Sequence, residues 1–245
     1  MTHTVAMMQP YWFPYLGYFQ LIAAADVFVL GDDLQYVKDG WINRNRILCN
    51  GEPQIISLPL RKAPHGLAIN QRELAGDAEA AMGKLLRTLG LHYARAPYCK
   101  QVIALLEPLL LHPQQNLARY LGHTLRGLCA YLQIDTPIVV ASALPVGAVT
   151  DKQHRVIRTL QCVGGSHYLN PIGGLDLYDP DYFAAAGMSL EFHRMNPVVY
   201  PQLREPFVPS LSIIDVLMFN PAERIRAWLP DFTRVPARAA TGYVA

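Results

Sequence analysis

Apolar positions along this chain fall into two spacings, one suited to buried strands and one to helices. Thr4 to Met8 is a short apolar run with a β-branched centre, stopped by Gln9-Pro10, and Asp26 to Leu30 is a continuous apolar run of the kind buried on both faces. Between them, Gly17 to Ala25 predicts a helix with Leu21 and Ile22 facing inward. Strand, turn, helix and strand within about 30 residues predict a βαβ unit with a right-handed crossover. Residues 53–60 predict another strand, and a polar loop over 61–70 follows it.

From about 78 to 133 the apolar positions take a helical period, running from Leu85, Leu86 and Leu89 through Val102 and Leu106 to Leu121, Leu125, Leu128 and Leu132. Pro97, Pro108 and Pro113 are expected to divide this stretch into about three helices. Strands are predicted at Ile138 to Ser142, His167 to Asn170 and Ser189 to Arg194. Helices are predicted from Asp151 through Cys162, with Gly164-Gly165 as the stop, at Asp179 to Ala186, and from Ser212 to Phe219. The tail beyond about residue 232 lacks periodicity and is expected to fray. The alternation predicts an α/β fold: a mostly parallel sheet with flanking helices, Rossmann-like and open to a nucleotidylyltransferase-like form, plus an inserted or C-terminal helical layer. One α/β domain is expected over 1–232, with the helical insertion at about 78–133 and the frayed tail at 233–245.

With 51% hydrophobic and 16% charged residues, the composition excludes a disordered chain. A net charge of +2 predicts no strong nucleic-acid or membrane electrostatics, and no DNA partner, while leaving room for a local basic cluster. No apolar stretch reaches the roughly 18–20 residues needed to span a bilayer, and the N-terminus lacks a basic segment before its apolar run. A cytoplasmic location is expected. Cys49, Cys99, Cys129 and Cys162 show no CxxC, and the eight histidines show no HxH or HExxH. Reduced thiols and no metal site are expected.

Candidate chemistry lies where predicted strands end. Gln9-Pro10-Tyr11-Trp12-Phe13-Pro14-Tyr15-Leu16-Gly17-Tyr18 is a stiff aromatic loop between a strand and a helix, and Gly17 there would let a phosphate or carboxylate approach backbone N–H groups. Tyr15-Leu16-Gly17-Tyr18 occupies the kind of place where nucleotidylyltransferases and class I aminoacyl-tRNA synthetases carry His-x-Gly-His. Two tyrosines in place of two histidines argue against ordinary adenylyl transfer, because a neutral phenol can only donate a hydrogen bond. Asp32-Asp33 follows the second strand and could bind a cation, a sugar hydroxyl or an ammonium group. In Trp41-Ile42-Asn43-Arg44-Asn45-Arg46, a strand would put Asn43 and Asn45 on one face and the two arginines on the other, a strip suited to a hydroxylated or phosphorylated ligand. Further candidates are Lys62 and His65 in the polar loop, and Lys152, His154 and Arg155 opening a later helix. Asn170-Pro171-Ile172-Gly173-Gly174 could form a tight, phosphate-sized loop, and Asp215 stands among Ile and Leu in a helix that Ser212 could cap. GxSxG, Walker A and GxGxxG are absent from the sequence.

Several of these segments together resemble the WbqC-like protein family. They are Met8 to Tyr11, Pro14 to Ile22, Asp32-Asp33, Trp41 to Arg46, Ala96-Pro97-Tyr98, Asn170 to Gly174 and Leu211 to Asn220, in order over about residues 5–225. The resemblance implies a setting in bacterial gene clusters for O-antigen and other surface polysaccharides, or in other biosynthetic clusters, and implies no particular cofactor. Carried over residue by residue, it points to Gln9, Tyr11, Tyr15, Asp32, Asp33, Trp41, Asn43, Arg44, Asn45, Lys62, Asn170 and Asp215. The chain departs from the family pattern at Gly31, where an aromatic is commoner, and at Leu34 and Gln35.

The expected function is that of a transferase modifying an activated sugar or amino-sugar intermediate for surface polysaccharide. The alternatives are an acyl- or aminoacyl-transferase in a small-molecule pathway, for which tRNA stays open as a partner, and a noncatalytic binding protein. In the first, Asp32 or Asp33 would serve as general base or acceptor-binding acid, with Arg44 and Lys62 on donor phosphates. Asn43, Asn45 and Asn170 would orient hydroxyls, and Trp41 and Tyr11 would stack on a ring. The partner expected is a small molecule, a nucleotide-sugar or acyl donor.

Overall fold

The first strand, β1 (Thr4–Met8), is covered on both faces, as its unbroken apolar run requires. Ala6 points into one core cluster while Val5 and Met7 point into another, the alternation that a strand imposes. After the turn comes α1 (Leu16–Ala23), and β2 (Val27–Leu30) returns parallel to β1 with Val5 opposite Val27. The βαβ opening thus forms as the pattern predicts. The computed structural model describes residues 2–237.

A separate hairpin follows, β3 (Arg44–Cys49) against β4 (Glu52–Ser57), turned by Asn50 and Gly51 at φ of 55° and 89°. Two positive φ values in a two-residue loop match the right-handed twist of the flanking strands. The 78–133 stretch forms α2 (Ala78–His92), α3 (Cys99–Leu110) and α4 (Leu117–Tyr131). Pro97 and Pro113 lie in the breaks, but Pro108 does not divide the chain; it sits in the last turn of α3, where it costs one helical hydrogen bond, to the Ala104 carbonyl, and the helix ends two residues later.

Then come β5 (Ile138–Val140), α5 (Lys152–Cys162), β6 (His167–Pro171), α6 (Pro180–Ala185), β7 (Ser189–Met195), α7 (Ile213–Phe219), α8 (Ala222–Trp228) and β8 (Phe232–Pro236). Asp151 caps α5 by accepting from the N–H groups of Gln153 and His154, and Ser212 caps α7 through Ile214 N–H.

Six strands form the main sheet in the order β5-β2-β1-β6-β7-β8. The first five run parallel and β8 is antiparallel to β7. The segment from residue 232 does not fray at once: Phe232 to Pro236 pair with Met195 to Glu191 as an edge strand, where a proline is tolerated. The rest of the expected frayed tail, from 238, lies outside the described residues. Val156, Ile157 and Leu160 of α5 and Phe183 of α6 cover one face of the sheet. Helix α1, the α2–α4 layer, α7 and α8 share the core on the other face. This is a Rossmann-like α/β architecture with helices on both sides of a mostly parallel sheet.

Candidate functional site

Strand order decides where a ligand would sit. From β1 the chain moves to β2 and β5 on one side, then crosses over to β6 and β7 on the other. The connections therefore diverge at the carboxyl ends of β1 and β6, the crevice where open α/β sheets bind ligands. Gln9 to Tyr15 leave β1 at this edge, Asp32 and Asp33 leave β2, Ser142 follows β5, and Asn170 ends β6.

An aromatic cleft of about 330 Å³ opens beside the loop after β1, lined by Tyr11, Pro14, Tyr15, Trp41, Asn45, Arg46 and Ser210. Long-range hydrogen bonds set its shape. Asn45 Nδ2 donates to the carbonyls of Trp12 at 3.1 Å and Phe13 at 2.7 Å, holding a turn in which Phe13 takes φ of 45°. Ser212 Oγ donates to the same Phe13 carbonyl at 2.8 Å, and Ile213 N–H donates to Pro14 at 2.9 Å. The loop is thereby held by both β3 and the start of α7.

Trp41 is 41% exposed, and the Arg46 guanidinium carbon stands 5.6 Å from its ring centroid. Arg46 Nη2 donates to the Ser210 carbonyl at 3.2 Å, while its buried Nε has no partner among the described residues. Burial raises the pKa of Tyr11 and of Tyr15, so both phenols stay protonated as donors. A ring face, a guanidinium with a spare donor and two phenols suit a flat or pyranose ring bearing an anionic or hydroxyl substituent.

The acid pair divides its work. Asp32 is buried and accepts from Ser142 N–H at 2.9 Å, Ser142 Oγ at 2.6 Å and Asn70 Nδ2 at 3.3 Å, joining the ends of β2 and β5. It also borders a second cleft of about 400 Å³ with Asn70, Asn116, Arg119, Arg126 and Ser142. Asp33 is half-buried, and its Oδ1 accepts from Arg155 Nη2 at 2.5 Å in the first turn of α5. Its Oδ2 has no partner among the described residues, so Asp33 is the member of the pair with an oxygen left for a ligand.

Other predicted residues are engaged locally. Asn43 accepts from the Tyr36 hydroxyl at 2.7 Å and donates to Leu58 at 2.9 Å. Arg44 pairs with Asp39 at 3.1 Å and with the Gly40 carbonyl, closing the turn before β3. Gln9 accepts from the Tyr18 hydroxyl through its carbonyl at 2.8 Å and reaches Gln35 O at 3.4 Å. Asn170 accepts from Tyr168 at 2.9 Å and donates to Pro171 at 3.2 Å. Open space surrounds Gly173, whereas Gly17 is buried beneath the Tyr15 ring, which a Cβ would strike. Asp215 has no exposed surface and accepts from Tyr93 at 2.7 Å, Tyr200 at 2.6 Å and Gln202 at 3.2 Å.

The predicted residues thus share an edge without sharing one pocket. Tyr11, Tyr15, Trp41 and Asn45 meet in the aromatic cleft, Asp32 borders the second, and Lys62 lines a third with Tyr36, Lys38 and Arg72. The segment 35–46 lines both the first and the third. In the sequence Arg155 is a candidate only as part of the basic opening of a helix, with no link to Asp33, and Ser142 goes unselected, although it follows β5 and obeys the same end-of-strand rule that flagged the acid pair.

Fold and site together define a Rossmann-like α/β protein with clefts at the carboxyl edge of its sheet. The chain belongs to the WbqC-like protein family, whose model matches residues 9–227. It is similar to the uncharacterized protein Rv1507c of Mycobacterium tuberculosis (strain ATCC 25618 / H37Rv), with 29% identity over 233 residues, covering 94% of this chain and 97% of that protein. No solved structure matches the chain.

Proposed function

We propose that the protein is a cytoplasmic transferase acting on an activated sugar or amino-sugar intermediate of surface polysaccharide, bound at the carboxyl edge of the sheet. The observation that carries this reading is the aromatic cleft, where Trp41 and Arg46 stand together over a cavity the size of one ring and its substituents. The polysaccharide setting is the one that the family resemblance implies. Trp41 and Tyr11 stack on the ring, and Arg46 takes the anionic substituent that the sequence reading gave to Arg44. Asp33, steadied by Arg155, accepts a proton from the acceptor group. Asp32 fixes the loop that presents Asp33 and has no free oxygen for a proton.

A thermal-shift screen with nucleotide sugars, CoA esters and aminoacyl analogues tests this. A nucleotide sugar at 100 times its Kd should add about 2.7 kcal/mol of stability, with no response to the acyl carriers. Stabilisation by an acyl or aminoacyl carrier alone would replace the reading with acyl transfer.

A further inference from the structure

The cleft that contains Lys62 has a charge pattern which the ring-binding site does not explain. It measures about 670 Å³ and is bordered by residues 35–38 and 60–67 together with Arg72. Its lining includes Lys38, Arg61, Lys62, His65 and Arg72 and no aspartate or glutamate. Only Arg61 is neutralised, by Glu73 at 2.6 Å; Lys38, Lys62 and Arg72 form no ion pair among the described residues. In a chain with a net charge of +2, three unpaired cations on one cleft are a marked concentration.

Arg72 is the decisive residue. It is 9% exposed, its guanidinium carbon lies 4.6 Å from the Tyr36 ring centroid, and its buried Nε has no hydrogen-bond partner among the described residues. Its Nη2 makes one long bond, 3.4 Å, to the Arg61 carbonyl. A guanidinium buried without a carboxylate is costly unless an anion completes it, and its planar fork matches phosphate oxygens in pairs.

The walls are held in place before any ligand arrives. Bridges join Gln35 to Ala68 and Leu60 to Leu74, Tyr36 N–H donates to Leu67 O at 3.0 Å, and Arg61 N–H donates to Glu73 O at 3.0 Å. Preorganised donors lose little freedom on binding.

We propose that this cleft is a diphosphate site, with Arg72 gripping one phosphoryl group and Lys38 and Lys62 neutralising the other. Three cations fit the charge of two phosphoryl groups better than that of one carboxylate. The site stands on its own geometry; only its assignment to the diphosphate of an activated donor rests on the transferase reading.

Calorimetric titration of the full chain with inorganic pyrophosphate tests it. One equivalent should bind. The surface double variant Lys38→Gln/Lys62→Gln should lose about 10–100-fold in affinity, since charge-assisted bonds to phosphate carry most of the energy. Arg72→Lys, which keeps the charge and loses the fork, should also weaken binding, with circular dichroism confirming that it folds. Arg119→Gln/Arg126→Gln, in the second cleft, should bind like the wild type. Tighter binding of a nucleoside diphosphate, equally dependent on Lys38 and Lys62, would identify a nucleotide as the carrier of the diphosphate. Equal affinity would mean that the diphosphate alone is read. Failure of the wild type to bind pyrophosphate, full affinity in the lysine variant, or loss in the Arg119/Arg126 variant overturns the proposal. Pyrophosphate contains no sugar, so this result is separable from the fate of the transferase reading.

Discussion

Asp215→Ala should lower stability by about 3–5 kcal/mol, the sum of two buried hydroxyl donors left unsatisfied at about 1–3 kcal/mol each and a small cavity. The carboxylate is fully buried and accepts from two tyrosine hydroxyls and one amide, joining α7 to the end of α2 through Tyr93 and to the 200–202 segment through Tyr200 and Gln202. Tyr93 also accepts from Leu48 N–H at 2.8 Å, which ties β3 into the same network. Truncation leaves two buried hydroxyl protons without acceptors and opens a cavity beside them. Urea denaturation gives the loss directly. Burial raises the carboxyl pKa above its ordinary value, against the lowering effect of its three hydrogen bonds. A raised folded-state pKa contributes stability present in full below the unfolded value and lost as the pH rises through the folded one. The gap between wild type and Asp215→Asn should therefore widen as the pH falls from 7 toward 4. A gap independent of pH would mean that the carboxyl titrates alike in both states.

Asp33→Asn and Asp32→Asn should separate chemistry from folding. Under the transferase reading, Asp33→Asn reduces turnover by about 10²–10⁴-fold, the usual contribution of a general base. Its pairing with Arg155 is partly solvated, so the stability cost should stay within about 1 kcal/mol. Asp32→Asn should behave in the opposite sense, losing about 1.5–3 kcal/mol because an amide cannot accept everything that the carboxylate accepts. Turnover with the donor found by the thermal-shift screen, measured beside the denaturation midpoint, distinguishes the two. Full turnover in Asp33→Asn removes it from the mechanism.

Local pattern made the sheet legible. The runs Thr4 to Met8 and Asp26 to Leu30 could bury only as central parallel strands, and that is where they lie. The β3–β4 pairing was less visible because Arg44, Asn45 and Arg46 interrupt the apolar alternation, although Asn50-Gly51 carries the hairpin signal. β8 pairs on one side only, and Thr233, Arg234 and Pro236 gave it little strand character.

In the site, residue types were informative and their partners were not. Asp32 and Asp33 are adjacent in sequence, but their roles are divided by Ser142 and Arg155, more than 100 residues away. Asn43 and Asn45 look like ligand-facing amides in a strip of alternating polar residues. The structure spends them on Tyr36, Leu58 and the Trp12–Phe13 turn, contacts that no local pattern encodes. Arg72 carries no motif; its isolation appears only once Tyr36 lies beneath it.

Tryptophan emission titrated with a series of nucleotide sugars tests the central claim most directly, because the three tryptophans differ sharply in setting. Trp12 is fully buried and Trp228 packs at the core, whereas Trp41 is exposed on the proposed ring-binding cleft. A saturable change in emission should appear in the wild type and vanish in Trp41→Phe, which retains Trp12 and Trp228 as internal references. A wild type whose emission no nucleotide sugar changes, or a saturable change that Trp41→Phe keeps in full, would contradict a sugar-binding cleft built on Trp41 and Arg46.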